Sequence, residues 1–184
     1  SAITDIWDVR VHRYLLAELR RLQPDLVHIH NVSGATLAVY TACRVMGIPV
    51  VNTLHDLWLL CPNNMLYRAD GSFCDPAVFP RGCRQCFRRY DFWGNVPYRR
   101  QIFARLTANV RLFLSPSQAL IDRHVEAGYQ RERFRLLRLG FRERPAAPPQ
   151  HPDIKRWLEE GHAYPLLAFA GGGVEIKGAH VFLS

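Results

Sequence analysis

Residues 50–62 read VVNTLHDLWLLCP. Val50 to Leu54 form a short run in which β-branched and apolar residues dominate, the signature of a buried strand. His55 and Asp56 stop the run, yet the chain stays apolar through Leu57, Trp58, Leu59, Leu60 and Cys61. A strand with little polar alternation is expected in a parallel sheet whose two faces are covered by helices. Two ionisable residues at its end put polar chemistry where such sheets bind ligands, at the carboxyl ends of the strands.

The same pattern recurs on either side. Upstream, Leu26 to His30 (LVHIH) is a second short strand, and Asn31 follows it directly. Between the two strands, Ala35, Ala38, Ala42 and Met46 recur at helical spacing and Gly47 supplies a stop. Before them, Val11, Leu15, Leu19 and Leu22 make one helical stripe ended by Pro24. Downstream, residues 98–108 read as a helix and 110–114 (VRLFL) as a strand. Ser115, Pro116 and Ser117 start a helix that Gly128 stops, and 134–138 (FRLLR) is another strand. Alternating helices and strands define an α/β class: a Rossmann-like parallel sheet with helices on both faces. The proline-rich FRERPAAPPQHP then reads as a linker, with a short helix at 152–160 and a strand at 166–170.

Bulk composition bounds the function. A chain of 184 residues, 48% hydrophobic and 22% charged, suits a globular protein, and no apolar run approaches the roughly 20 residues a membrane span needs. Nothing at the start resembles a signal peptide; the location expected is cytoplasmic. Net charge is +8, almost all of it arginine, with clusters in 81–105 and 131–144. The simplest account is solvated surface. A peripheral contact with an anionic membrane face, or a basic module binding nucleic acid, are the functional alternatives.

Three strand ends carry polar side chains together: His30 with Asn31, His55 with Asp56, and Ser115 to Ser117. Asn31 and Ser115 can equally be helix caps, and His28, alternating with His30, can pack against a helix. Three adjacent strand ends with one habit favour a site. Residues 55–97 break the rhythm as an inserted loop with four cysteines, Cys61, Cys74, Cys83 and Cys86. The Cys-x-x-Cys pair at 83 and 86 has zinc-knuckle spacing, and four thiolates suit structural zinc. Free thiols, disulfides and a redox pair compete with it.

PDLVHIHNVSG, VVNTLHDLWLLCP, LFLSPSQALIDRHVEAGY and LLAFAGGGVEIKGAHVFLS together resemble, in order and spacing, the nucleotide-sugar glycosyltransferases of family four. The resemblance implies the GT-B arrangement, two Rossmann-like domains facing across a cleft. It implies transfer of a sugar, with retention, from a nucleoside-diphosphate donor to a glycan or lipid-linked acceptor, with no catalytic cofactor. His55 then contacts the donor sugar, with Asp56 orienting the ring or capping the next turn. His30, Asn31 and Ser115 line the acceptor side. Gly171, Gly172 and Lys177 hold the donor diphosphate, although an arginine usual in the family is replaced by Gly172. On this basis residues 1–140 are part of the acceptor-side domain, 141–165 a linker with a short helix, and 166–184 the start of the donor domain. The family's paired glutamates have no counterpart, so the chain is expected to be a piece that is inactive by itself.

Overall fold

The computed structural model describes residues 7–30, 32, 36–61, 64–68, 71–75, 99–140, 151–161, 169, 171 and 179–182. The chain divides into two units, residues 1–140 and 141–184.

The first unit opens with helix α1 (Val9–Leu22). Asp8 caps it, its carboxylate accepting from the Arg10 amide at 2.7 Å. The Arg10 guanidinium also donates to that carboxylate, chiefly by this hydrogen bond holding Asp8 down to about 2. At the other end Gln23 takes a left-handed conformation, φ 44°, ahead of Pro24. The predicted stripe faces inward through Leu15 and Leu19, while Leu22 is exposed. Strand β1 (Val27–Ile29), helix α2 (Ala38–Val45) and strand β2 (Val50–Thr53) follow. Then come helix α3 (Arg99–Leu106), strand β3 (Val110–Ser115), helix α4 (Gln118–Glu126) and strand β4 (Phe134–Leu136). Helix α1 lies on α2, where Trp7 Nε1 donates to Thr41 Oγ1 at 2.9 Å.

The four strands form one parallel sheet in the order β1-β2-β3-β4. Ile29 pairs with Asn52, Asn52 with Phe113, and Phe113 with Phe134, so these four share a face. That face carries the core. From α2, the Tyr40 hydroxyl donates to Asn52 Oδ1 at 2.7 Å, and burial pushes the Tyr40 phenol above its ordinary range. Asn52 Nδ2 donates to the Ile29 carbonyl at 3.0 Å, so a buried amide knits β1 to β2. Phe113 and Phe134 stack at 5.0 Å, and Tyr129 meets Phe113 edge-on at 5.8 Å. Arg133 spreads over Phe113 and donates to the carbonyls of Thr107 and Val110, tying down the turn into β3.

On the opposite face His28 and Arg135 are exposed and Val51, Leu112 and Leu114 half-buried. The parallel α/β sheet is as the sequence predicts; helices were expected on both faces, and among the described residues the helix contacts fall on one. The reason is topological. When each strand lies beside its predecessor, right-handed crossovers carry the connecting helices to the same side.

In the second unit, helix α5 (Pro152–Glu160) begins on a proline and ends at Gly161, φ 63°. A short turn of helix, α6 (Ala179–Phe182), follows. The expected strand at 166–170 lies outside the described residues, apart from Phe169. Among the described residues no helix is long and apolar enough to cross a membrane.

Candidate functional site

The parallel register that pairs Ile29 with Asn52 also sets two histidines side by side. His30 is the first residue past β1, and His55 the second past β2. Alternation along each strand sends both to the face opposite Asn52. His30 Nδ1 lies 3.2 Å from His55 Nε2, so one nitrogen holds the hydrogen and the other accepts it. Both rings are exposed.

His28 completes a row of three imidazoles. Its ring centroid stands 4.3 Å from that of His30, and its Nε2 is 2.8 Å from Thr53 Oγ1. Desolvation, and then the neighbouring His30, hold its pKa below the ordinary value. The alternative in which His28 packs against a helix is thus not what the fold delivers. It stands exposed beside His30 because residues two apart on a strand share a face. The alternation was readable in VHIH; the hydroxyl of Thr53 on the neighbouring strand was not.

Asp56 resolves into its capping role. Its Oδ1 accepts from the Trp58 amide at 2.8 Å and starts the turn that leads away from His55. The following apolar residues have a simple destination. Leu60 and Cys61 donate their amides to the Leu57 carbonyl at 2.9 and 2.8 Å, making a helical turn. Leu59, Leu60 and Cys61 are buried, and the Trp58 ring packs 5.0 Å from Phe103 on α3. The chain leaves the strand by rolling back onto the core, so no polar stretch is needed.

His30, Thr53, His55, Asp56 and Trp58 line a pocket of about 30 Å³. Across the 56–59 turn, Leu57, Leu66, Phe73, Leu120 and Arg123 line a wider groove of about 490 Å³. Ser115 does not share the small pocket. It lies buried, in step with Phe113 on the helix-covered face, and its hydroxyl donates to the Ser117 carbonyl at 2.8 Å. Ser117, not Ser115, caps α4, accepting from the Leu120 amide at 3.3 Å.

Asn31, Gly172, Lys177, Cys83 and Cys86 lie outside the described residues. Gly171 belongs to the second unit, where a Cβ would stand 3.0 Å from the Phe169 ring. Cys61 is buried and Cys74 half-exposed. Among the described residues no three histidine, cysteine or acidic side chains are grouped to hold a metal ion.

The profile of Glycosyltransferase Family 4 matches residues 4–144. The chain belongs to glycosyltransferase family 4. This family-4 chain is 22% identical over 127 residues to an uncharacterized 42.6 kDa protein in the cps region of Klebsiella pneumoniae. The match covers 69% of this chain and 30% of that relative. Among solved structures it is similar to the S. aureus MnaA-UDP co-structure, with a TM-score of 0.39 and 14% identity, over 68% of this chain and 25% of that one.

Proposed function

We propose that the protein is the acceptor-side part of a glycosyltransferase that moves a sugar from a nucleoside diphosphate to an acceptor hydroxyl. One observation carries this reading: in a family-4 chain, His30 and His55 face each other 3.2 Å apart at the carboxyl ends of adjacent parallel strands. Exposed imidazoles at that edge can donate to sugar hydroxyls and share the positive charge that develops as a glycosidic bond breaks. In this reading His55 contacts the donor sugar and His30, with Asn31, the acceptor. The donor diphosphate falls to Gly171, Gly172 and Lys177.

Retention at the anomeric carbon, a glycan or lipid-linked acceptor, and work at the cytoplasmic face of a membrane complete the proposal. The pocket of about 30 Å³ lined by described residues admits water-sized groups and not a hexose ring; in this reading an opposing donor lobe completes the cavity. The 184 residues alone should then be inactive. Against the nucleic-acid alternative, Arg133 gives its guanidinium to the carbonyls of Thr107 and Val110 instead of offering it to phosphates.

The test is transfer of labelled hexose from UDP- and GDP-linked donors to lipid and glycan fractions. It compares the 184-residue chain with the product of the complete reading frame that contains it. Label should move only with the longer product, and His55→Ala should cut the rate by about 100-fold or more. Equal rates with His55→Ala would remove that residue from the site. Turnover by the short chain would remove the need for a donor lobe.

A further inference from the structure

We propose that His30 and His55 form a two-nitrogen chelate for a borderline divalent transition-metal ion, of the Zn²⁺ or Ni²⁺ class. The inference rests on geometry alone and not on the sugar-transfer reading. Two nitrogens bound to one ion at about 2.0–2.1 Å stand roughly 3.3 Å apart at the tetrahedral angle of zinc and roughly 2.9 Å apart at the right angle of nickel. His30 Nδ1 and His55 Nε2 stand 3.2 Å apart. Little movement is therefore required; each ring turns so that its lone pair meets the ion instead of its neighbour. The strands hold the spacing, because Asn52 ties β1 to β2 through the Ile29 carbonyl just beneath the pair.

The surroundings fit a cation. Among the described residues lining the pocket there is no lysine or arginine, and Asp56 is the one carboxylate. The pocket has space for about one or two water-sized groups, enough for the ion, and its remaining water ligands lie on the solvent side of the two exposed rings. Imidazole suits zinc and nickel, and both rings are open to solvent. Among the described residues no third donor joins the pair, so the site is a bidentate chelate, with water completing the coordination and His28 staying on Thr53. No electron moves. In the neutral pair, the hydrogen between the two rings shifts to the far nitrogen of the ring that carried it, and both facing lone pairs then bind the ion. An ion held there would occupy the nitrogens that a sugar would need.

The experiment is a Ni²⁺ titration of the 184-residue chain, followed by long-range ¹H–¹⁵N spectra of the histidine rings. Residue-resolved signals keep nickel on the loop cysteines from being mistaken for this site. The His30 and His55 signals should broaden well before that of His180, an exposed histidine in the second unit. His30→Gln and His55→Gln should each weaken binding at the remaining ring about 10- to 100-fold. Both substitutions are on exposed side chains, and circular dichroism checks that the fold survives. Simultaneous broadening of His30, His55 and His180 would overturn the chelate, as would wild-type affinity in either variant. No sugar is present, so this result and the transfer assay fail independently.

Discussion

The sheet treats histidine in opposite ways at its two ends. Over β1 and β2, His28, His30 and His55 stand in solvent with their nitrogens turned on one another and on Thr53. Over β3 and β4, His124 of α4 is fully buried against Tyr129 and Phe134. Its Nδ1 donates to the Leu120 carbonyl at 2.7 Å, and its Nε2 meets no protein partner among the described residues. Burial pushes its pKa down to about 4, so it is a neutral ring used for packing. The lesson is that residue type alone does not mark a site. What differs is the face: helix contacts on one side make histidine a core residue, and an open side leaves it free for chemistry.

The largest expected effect attacks the packed end. Phe113→Ala removes the ring that meets Phe134, Tyr129 and Arg133, and should cost about 3–5 kcal/mol in denaturant unfolding. A loss below about 1 kcal/mol would mean that this end is not the core.

Next comes pH. Above the ordinary 6.5 His124 is neutral both folded and unfolded, so it contributes no slope. As pH falls from 6.5 towards 4, the unfolded chain takes up a proton that the folded chain refuses. Stability should fall across that window by about 3 kcal/mol. His124→Phe should flatten this limb. An unchanged limb would mean that His124 is not the buried ring responsible for it.

Smaller effects test the boundary between the two ends. Asn52→Ala strands the buried Tyr40 hydroxyl and cuts the tie to Ile29, for a loss of about 2 kcal/mol. It should also loosen the facing pair, visible as a weaker coupling between the His30 and His55 ring signals. Smallest of all, Thr53→Val removes the hydroxyl beside His28 and should change stability by no more than about 1 kcal/mol. Only the His28 ring signals should move. A larger loss would show that the open end also carries the fold.

The strands were legible because apolar β-branched runs such as VVNTL and VRLFL have no other stable use in a chain with helical stripes between them. Their carboxyl-end histidines were legible for the same reason, since parallel strands end on one edge. Ser115 shows the limit. It ends a strand as His30 and His55 follow theirs, but it falls in step with Phe113 and is buried, because a one-residue difference in phase selects the other face. His28 shows the converse, a residue whose partner comes from the neighbouring strand.

The sequence by itself determined the alternation of helix and strand, the parallel class and the presence of imidazoles at two strand ends, all of which follow from local periodicity. Only the tertiary structure decided which face each side chain joined, that His30 and His55 meet at 3.2 Å, and that Asp56 serves a turn. Those outcomes depend on strand register and crossover handedness, which are set by packing between segments far apart in the chain and leave no mark on any single stretch of it.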